Sequence, residues 1–253
     1  MRIALIGYGK MGQRIHALAK KYGHSVDLVV IGKINADGAG ITASKFENID
    51  LAIEFGRAEG TLVNIEKLLE IGTPVVVGTT GWITDETRAK VTELCEDHEG
   101  KVLYGSNFSL GVQLFLKLVA RSAELFGNSD IFDASIHEVH HTQKADAPSG
   151  TAITAADTWI QNANSTKKRN HALPVADKPD PESFYVTSQR IKGVVGEHEL
   201  RIRSDFDDIR VSHSALSRDA FAAGSLQAAT WLLGQESGFY LIEDVVEDVL
   251  GRS

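Results

Sequence analysis

The sequence predicts an α/β protein with a Rossmann-type doubly wound parallel sheet and a central α+β domain with an antiparallel-rich sheet. Three observations predict this fold class. Through the first hundred residues, short apolar runs rich in β-branched residues alternate with amphipathic helical patterns, which is typical of βαβ units. A glycine motif, Gly7-x-Gly9-x-x-Gly12, follows the first apolar run. In the second half, three strand-like runs follow one another closely, which favours antiparallel hairpins.

The elements of the first hundred residues follow from these patterns. Apolar runs that suit strands buried on both faces cover Arg2–Ile6, Val26–Ile31, Asp50–Phe55, Pro74–Gly78 and Lys101–Tyr104. Apolar residues at helical spacing predict helices over Met11–Tyr22, Thr61–Ile71 and Asp85–Asp97. Gly23 and Gly72 are expected to end the first two helices, and Thr84 to cap the start of the third.

After Asn107 the alternation stops. Helices are predicted over Val112–Phe126, from about Gly150 to Ile160 and over Ala220–Leu233. Strands are predicted over Ile131–Val139, Phe184–Ile191, Glu197–Arg203 and Ile209–His213, the last three as antiparallel hairpins. The polar stretch Gln161–Glu182 holds three of the five prolines and is predicted to be a surface loop, and Gly238–Leu250 is a last strand or helix.

Composition excludes several classes of function. The net charge of −8 argues against general nucleic-acid binding, which needs an extended basic surface. No stretch approaches the roughly 20 apolar residues that span a bilayer, and no secretory signal is recognisable at the N-terminus. The single cysteine, Cys95, excludes an intrachain disulfide framework and suits a reducing compartment. We therefore expect a cytoplasmic protein without a membrane or nucleic-acid partner.

The glycine motif predicts a dinucleotide site because it follows a strand and opens a helix. Gly7 permits the tight turn, Gly9 lets backbone amides approach a pyrophosphate, and Gly12 lets the helix pack on the strand. The alternative is that these glycines only turn a corner. The predicted cofactor contacts in this loop are Gly7, Tyr8, Gly9, Lys10, Met11 and Gly12.

Other cofactor contacts are predicted where later strands end, since the carboxyl ends of parallel strands line the ligand crevice. They are Gly78, Thr79 and Thr80 after the fourth strand, and Gly105, Ser106, Asn107 and Phe108 after the fifth. Plain turns are the alternative for both groups. The second strand lacks the terminal acid that binds the ribose of NAD, and Lys33 stands where it could meet the 2′-phosphate of NADP. This favours NADPH, or dual use of NADPH and NADH, although Lys33 is equally explained as an exposed loop lysine.

The segment from Glu138 to Ala152 concentrates the groups needed for proton transfer and anion binding. An imidazole with a pKa near 6.5, such as that of His140, can give or take a proton at neutral pH, and the Lys144 ammonium stays charged and donates. Ser149 is expected to cap a helix whose first amides, at Gly150 and Thr151, bind carboxylate or phosphate. With His141 and Lys144 these residues predict a substrate that carries carboxylates.

The same residues allow three alternative interpretations: a metal site, another dehydrogenase or a noncatalytic sensor. A metal site on His137, His140 and His141 has no thiolate partner, and strand alternation separates its ligands, so no metal is predicted. Another two-domain dehydrogenase, such as an amino-acid dehydrogenase, would not need this cluster. A noncatalytic dinucleotide sensor would be expected to carry a recognition element, and no basic helix-turn-helix is recognisable.

The pattern Glu138-x-His140-His141-x-x-Lys144-x-Asp146-Ala147-Pro148-Ser149-Gly150-Thr151-Ala152 resembles the signature of the 4-hydroxy-tetrahydrodipicolinate reductase family. The resemblance extends along the chain through Gly78-Thr79-Thr80-Gly81, Asn107-Phe108-Ser109, Val195-Gly196-Glu197-His198 and Ala222-x-Gly224. It implies a dinucleotide-binding domain of residues 1–106 with 216–253, a substrate-binding and oligomerisation domain of residues 107–215, and a homotetramer assembled through the central sheets.

The resemblance also implies a reaction. NADPH or NADH would deliver hydride to a cyclic dicarboxylate, giving tetrahydrodipicolinate with loss of water, in the diaminopimelate route to lysine. It implies that His140 is the proton donor and acceptor, Lys144 the proton donor, and His141, Gly150 and Thr151 the substrate ligands. Three features depart from the family pattern: the first glycine loop is one residue shorter than in some members, Gly32-Lys33 replaces the usual acid, and Glu54-Phe55-Gly56 replaces an Asp-Phe-Thr/Ser sequence. These departures concern cofactor preference, not the reaction.

Overall fold

The computed structural model describes residues 1–31, 37–163, 167–170, 180 and 182–251. The chain divides into two compact units, the first formed by Met1–Leu110 with Asp219–Ser253 and the second by Gly111–Arg218. No helix in the described ranges is long and apolar enough to cross a membrane.

The first unit is built on a parallel sheet, as predicted. Its strands are β1 (Arg2–Ile6), β2 (Ser25–Val30), β3 (Leu51–Glu54), β4 (Val75–Val77), β5 (Lys101–Tyr104) and β11 (Gly238–Leu241). They lie in the order β11-β5-β4-β3-β1-β2, and every neighbouring pair is parallel. The helices are α1 (Lys10–Ala19), α2 (Ala43–Phe46), α3 (Ala58–Glu70), α4 (Asp85–Asp97), α7 (Asp219–Leu233) and α8 (Ile242–Gly251).

Both faces of this sheet are buried, which explains its nearly continuous apolar strands. In β1, Ile3 and Leu5 belong to one core cluster with residues of α1, α7 and α8. Ala4 and Ile6 belong to another cluster, with residues of α3 and α4. Successive side chains of a strand point to opposite faces, so one apolar run supplies both cores. The doubly wound fold class is confirmed.

Local signals at the helix ends are observed as predicted. Gly23 follows a short 3-10 turn, Lys20–Tyr22, that continues α1, and Gly72 follows Ile71 at the end of α3; their φ values of 75° and 71° are left-handed. The Thr84 side chain accepts a hydrogen bond from the backbone N–H of Thr87, and the Thr87 side chain accepts one from the backbone N–H of Thr84. The short helix α2 was not predicted; it buries Phe46 against the second core cluster.

The second unit contains a mixed five-stranded sheet with helices α5 (Leu110–Phe126) and α6 (Gly150–Asn162). Its strands are β6 (Asp133–His140), β7 (Lys168–Asn170), β8 (Ser183–Arg190), β9 (Gly196–Arg203) and β10 (Asp208–Ala215), in the order β10-β9-β6-β8-β7. The central strand β6 is antiparallel to β9 and parallel to β8. Its buried Ile136 packs in a third core cluster with residues of both helices.

Two predictions for this unit and one for the first unit are corrected. Only β9 and β10 form a hairpin, because β6 lies between β8 and β9 and pairs with both. The predicted loop Gln161–Glu182 contains the end of α6 and the short strand β7, which pairs with β8, while residues 164–166, 171–179 and 181 lie outside the described residues. In the first unit, Gly238–Leu250 holds both a strand, β11, and a helix, α8.

Candidate functional site

The predicted site residues fall in two groups, one in each unit. The predicted cofactor residues follow strands β1, β4 and β5 at the carboxyl edge of the parallel sheet. The predicted catalytic and substrate residues lie between the end of β6 and the start of α6. Lys33 lies outside the described residues, so its predicted contact with a 2′-phosphate stays a prediction.

The turn after β1 has the backbone that the glycine motif predicts. Gly7 has a φ of 90°, a left-handed value that favours glycine, and its N–H donates to the carbonyl of Val30 at 2.8 Å. A Cβ atom on Gly7 would overlap the carbonyl of Phe55, and one on Gly12 would overlap the carbonyl of Gly7. The turn, α1 and the loop after β3 therefore pack too closely for any side chain at these two positions.

The start of α1 fits the pyrophosphate of a dinucleotide. Gly9 precedes the helix without a side-chain cap, and a Cβ atom there would meet no atom within 4 Å. Tyr8 lies in the turn before α1, Lys10 and Met11 are the first residues of α1, and Tyr8 and Lys10 are exposed. The first amides of a helix have no partner within it and carry partial positive charge. The strand β1 also lies between β2 and β3, where strand order reverses and doubly wound sheets bind nucleotides.

Phe55, which follows β3, packs against the loops that follow β4 and β5. A Cβ atom on Gly78 would overlap the Phe55 ring, and the rings of Phe55 and Phe108 lie 6.0 Å apart. Phe108 is 2% exposed and belongs to a core cluster, so its ring packs inside the protein. Asn107 accepts a hydrogen bond from the N–H of Ser109 at 2.9 Å, which fixes the loop after β5.

A buried acid lies beside this group. Glu54, at the end of β3, is 0% exposed and accepts a hydrogen bond from the N–H of Gly56 at 2.9 Å. Burial raises the pKa of Glu54 to about 7, although the N–H of Gly56 and the nearby side chains of Thr79, Asn64 and Thr61 oppose the shift. Thr79, a predicted cofactor contact, is also buried, whereas its neighbour Thr80 is exposed.

Gly105 and Ser106 have different surroundings from the first glycine turn. They line a cavity of about 300 Å³ with Thr84, Arg88, Tyr104 and Glu243, among other residues. This cavity opens where β5 ends, beside the start of α4. Three loops that follow strands of one parallel sheet thus carry glycines or small hydroxyl residues at its carboxyl edge.

In the second unit, strand alternation places Glu138 and His140 on one face of β6, as expected. Nδ1 of His140 is hydrogen-bonded to Oε2 of Glu138. The other carboxylate oxygen of Glu138 accepts from Arg190 at 2.9 Å. Glu138 is fully buried, and His140 is 9% exposed.

The charges around His140 act in opposite directions. Burial lowers the pKa of His140, Glu138 opposes the shift, and Lys144 and Arg190 add to it, so that the pKa lies below the usual value. Burial alone would raise the pKa of Glu138, but hydrogen bonds from Ser188, Arg190 and His140 outweigh it and hold the pKa low. The pair is therefore a neutral imidazole on a carboxylate anion at neutral pH.

A second buried histidine supports the start of α6. Nε2 of His198 lies 3.1 Å from Oγ of Ser149, and that oxygen also accepts from the N–H of Ala152 at 3.2 Å. The ring of His198 is 5.2 Å from that of His140, edge to face. Burial lowers the pKa of His198 to about 4, and the nearby His140 adds to the shift. His198 is thus a neutral support for Ser149, the predicted N-cap.

Among the described residues, the side chains of Lys144 and His141 each contact one polar side chain. Nζ of Lys144 lies 2.8 Å from both carboxylate oxygens of Asp146. An ammonium has three N–H donors, so this pair leaves one for a ligand. Nε2 of His141 accepts from Arg218 at 2.8 Å. Because arginine can only donate, neutral His141 carries its proton on Nδ1, a buried atom without a hydrogen-bond partner in the part of the chain that the structure describes.

The ligand-type groups nearest to one another are not the three histidines considered from the sequence. Glu138, His140 and His198 have ligand atoms within 4.8 Å, whereas His137 is hydrogen-bonded to Thr187 at 2.8 Å. Since Glu138 already binds both His140 and Arg190, we interpret the cluster as a hydrogen-bonded one.

Sequence reasoning missed two arginines and one histidine role in this site. Arg190 at the end of β8 and Arg218 after β10 contact predicted residues, but neither belongs to a spacing pattern that a single sequence reveals. His198 was noted only as part of the family resemblance. His198 shares one face of β9 with Leu200 and Ile202, which are buried. This spacing of two residues is the signal that predicts a buried His198.

Comparisons with known proteins agree along the chain. The family model described as dihydrodipicolinate reductase, N-terminus, matches residues 1–108, and the one described as dihydrodipicolinate reductase, C-terminus, matches residues 111–246. A Christiangramia forsetii protein named 4-hydroxy-tetrahydrodipicolinate reductase is 35% identical over 249 residues, covering 98% of this chain and 99% of that protein. A protein of the same name from Haloarcula marismortui is 38% identical over 200 residues, covering 79% of this chain and 77% of that protein.

Solved structures are similar in fold. A dipicolinate-bound dihydrodipicolinate reductase from Paenisporosarcina sp. TG-14 matches with a TM-score of 0.79 at 21% identity, covering 97% of this chain and 99% of that one. An amine dehydrogenase from Mycobacterium smegmatis matches with a TM-score of 0.61 at 12% identity, covering 96% of this chain and 95% of that one.

Proposed function

The chain belongs to the dihydrodipicolinate reductase family, and we propose that it reduces 4-hydroxy-tetrahydrodipicolinate to tetrahydrodipicolinate on the diaminopimelate route to lysine. Overall, the ring exchanges its 4-hydroxyl group for a hydride, and the hydroxyl group leaves with a proton as water. One observation carries the proposal. A proton-exchanging imidazole, an ammonium and a helix N-terminus converge within the segment from His140 to Thr151.

The substrate is a dianion, and the second unit supplies donors for two carboxylates. We assign one set of donors to the first amides of α6 at Gly150 and Thr151, which Ser149 and His198 hold in place. The other set is Nδ1–H of His141 and the Lys144 ammonium. Arg218 supports His141 in the required tautomer and adds positive charge beside it.

Proton transfer is assigned to His140 and Lys144. Nδ1 of His140 is held by Glu138, so Nε2 is the atom that exchanges protons with the substrate. The Lys144 ammonium can donate to the ring nitrogen or stabilise charge that develops there during the reduction. Because the neutral imidazole carries its proton on Nδ1, Nε2 first takes up a proton and then passes it on, and the lowered pKa of His140 favours that second step.

A reduced nicotinamide cofactor supplies the hydride when it is bound. We assign its pyrophosphate to the turn Gly7–Gly12 and its nicotinamide end to Gly78–Thr80 and Gly105–Phe108. The bare start of α1 and the close packing of Gly7 and Gly12 support this assignment. Lys33, a cation where an acid would select NAD, favours NADPH, with NADH as the second cofactor.

Two further expectations complete the proposal. We propose that the protein is cytoplasmic, since its single cysteine and its reduced cofactor suit that compartment. We also propose that it assembles as a homotetramer, which analytical ultracentrifugation tests directly. A monomer at the concentration used for activity measurements would refute that assembly.

The decisive experiment follows oxidation of NADPH and NADH in parallel with enzymatically generated substrate. We expect turnover with both cofactors and a higher kcat/KM with NADPH. Equal or better use of NADH would overturn the role of Lys33. Oxidation of cofactor with an amine or amino-acid substrate, and none with the cyclic dicarboxylate, would favour a different dehydrogenase.

The catalytic assignment is tested by His140→Ala and Lys144→Ala. Loss of a proton-transfer group is expected to lower kcat by roughly 100-fold or more. NADPH binding, measured by fluorescence titration, should stay within about 2-fold of wild type, because both residues lie in the second unit. The exposed Lys192→Ala is the matched control and should keep full activity. Variants with unchanged kcat, or with lost NADPH binding, would contradict the assignment.

A further inference from the structure

We propose that Glu138 and Arg190 are positioning residues, which together fix the His140 ring and hold the loop that carries Lys144. The inference deepens the proposed function and rests on it, since it assumes that His140 and Lys144 act on substrate. Neither residue is expected to touch the substrate. Each acts through its hydrogen bonds to His140 or to the loop that follows β6.

The carboxylate of Glu138 is shared between two partners. Oε2 holds Nδ1 of His140, and Oε1 accepts from Nη1 of Arg190 at 2.9 Å. Glu138 is 0% exposed, so both oxygens depend on these protein partners in place of water. Removing one partner would leave a buried charge uncompensated, which is strongly destabilising.

Arg190 extends the same network into the loop. Its Nη2 donates to the carbonyl of Asp146 at 2.6 Å, and its Nε donates to the carbonyl of Lys144 at 3.4 Å. The planar fork of the guanidinium lets one side chain bind a carboxylate and two carbonyls at once. A lysine has the charge but lacks this geometry.

The register of the sheet explains why Arg190 can do this. Strands β6 and β8 are parallel neighbours, and Arg190 pairs directly with His140 in their ladder. The N–H of Ile191 donates to the carbonyl of His140 at 2.8 Å, so the backbone is fixed on both sides of Arg190. The arginine and the imidazole therefore share one rigid frame.

The arrangement leaves Nε2 of His140 as the working atom. Glu138 is an anion that only accepts, so Nδ1 keeps the proton and Nε2 exchanges protons. A Cβ atom on Gly196 would lie 2.8 Å from Nε2. Glycine at this position keeps the space beside the working nitrogen open.

The two positioning residues have opposite charges, so their removal should shift the pKa of His140 in opposite directions. The groups that face His140 are Glu138 on β6, Lys144 in the loop, Arg190 on β8 and His198 on β9. Glu138 raises the pKa of His140 and Arg190 lowers it. A residue with a merely structural role would not shift this pKa in a direction set by its charge.

The experiment is a histidine titration by NMR on the full-length protein labelled in its histidine rings, with His140→Asn used to assign the signal. Glu138→Gln keeps the shape of the side chain and removes its charge, so the titration midpoint of His140 should move to lower pH. Arg190→Met removes the positive charge, so the midpoint should move to higher pH. Arg190→Lys keeps the charge, and the midpoint should stay near that of wild type.

Steady-state kinetics separate two effects of Arg190: its hydrogen bonds to the loop that carries Lys144, and its positive charge beside His140. Arg190→Lys should raise KM for the cyclic dicarboxylate because the carbonyls of Lys144 and Asp146 lose their donor, and kcat should fall less than in Arg190→Met. Loss of orienting contacts to a working histidine should lower kcat of Glu138→Gln by about 10–100-fold. KM for NADPH should be unchanged in all three variants.

The outcomes distinguish this proposal from the proposed function. If His140→Asn abolishes turnover but the titration midpoints do not move in opposite directions, the positioning proposal is wrong and the reaction stands. If His140→Asn retains wild-type turnover, the catalytic assignment itself fails. Should Glu138→Gln not fold, as circular dichroism would show, the two Arg190 variants still decide, because a midpoint that is unchanged in Arg190→Met refutes the proposal.

Discussion

At the residue scale, the most unusual group in the first unit is the Glu54 carboxyl. It is fully buried at the end of β3, and burial raises its pKa to about 7 from the usual 4.5. Gly56 lies so close that a Cβ atom there would be 2.5 Å from Oε1 of Glu54. The long acid thus fits only because residue 56 has no side chain.

This pKa predicts how stability depends on pH. Between pH 4.5 and 7 the folded state holds a proton on Glu54 that the unfolded state has released, so the free energy of unfolding falls as pH rises through this window. Glu54→Gln mimics the protonated acid and removes this loss. We expect it to be more stable than wild type at pH 8, by up to about 3 kcal/mol, and equal at pH 4.5.

Urea unfolding of both proteins at several pH values measures this difference. Glu59→Gln, a change of the same chemistry on the exposed face of α3, is the matched control and should follow wild type at every pH. If wild type and Glu54→Gln lose stability in parallel between pH 5 and 8, Glu54 is ionised at neutral pH and the prediction fails.

Single residues differ in how well the sequence predicts them. The shared face of Glu138 and His140 follows from strand alternation, and the N-cap role of Ser149 follows from its position before a helical pattern. The contacts of Arg190 and Arg218 do not follow, because they depend on which strand lies beside β6. Local sequence determines the first kind of contact, and sheet topology determines the second.

At the element scale, the same division holds. Strands β1 and β5 and helix α4 have the predicted bounds, since buried apolar runs and capping residues are local signals. The predicted hairpin of β8 and β9 is wrong, since β6 lies between these strands although a glycine turn connects them. Gly193, with a φ of 86°, lies in a connection that passes the end of β6 and does not close a hairpin. Turn residues predict that a chain reverses, but not which strand it then pairs with.

Helix α7 offers a test of close packing between elements. Gly224 is buried in the middle of this helix, and a Cβ atom there would overlap the carbonyl of Phe108 in the loop after β5. Alanine would ordinarily stabilise a helix by about 1 kcal/mol relative to glycine. Here we expect Gly224→Ala to destabilise the protein by about 1–3 kcal/mol, because a backbone atom must move to make room.

Thermal and urea unfolding measure this effect, and NADPH titration measures its consequence for the loop. If Phe108 and its neighbours bind the cofactor, displacement of the loop should also weaken NADPH binding. Gly234→Ala is the matched control, since its Cβ atom would make an ordinary contact of 3.5 Å with the carbonyl of Trp231. A Gly224→Ala protein as stable as wild type would show that α7 and this loop are not tightly packed.

At the scale of the whole molecule, the sequence carries two kinds of periodicity, and the structure has two units. Continuous apolar runs belong to the parallel sheet with cores on both faces, and alternating runs belong to the mixed sheet with one core. The return of the chain to the first unit through α7, β11 and α8 is implied by the family resemblance and not by these patterns. Strand β11 completes the parallel sheet beside β5, a pairing between residues more than 130 positions apart.

This division predicts that the two ligands protect different parts of the chain from hydrogen exchange. The proposed assignment puts the cofactor on the turns of the first unit and the dicarboxylate on the segment that includes the start of α6. NADPH alone should slow exchange most at residues 7–13, 78–80 and 105–108. Dipicolinate, which a relative of similar fold binds, should slow exchange most at residues 140–152 when it is added to the NADPH-bound protein.

Mass spectrometry of peptides after timed exchange measures both patterns, and peptides from residues 91–97, the second half of α4, serve as the internal reference because no ligand is assigned there. Ordered amides at a helix start gain protection when a bound carboxylate accepts their hydrogen bonds, since their opening then requires that the ligand leave. Protection by dipicolinate centred on residues 7–13 would mean that the helix start of the first unit is the carboxylate site. In that case the roles of the two anion sites must be exchanged, and with them the assignment of His141, Gly150 and Thr151.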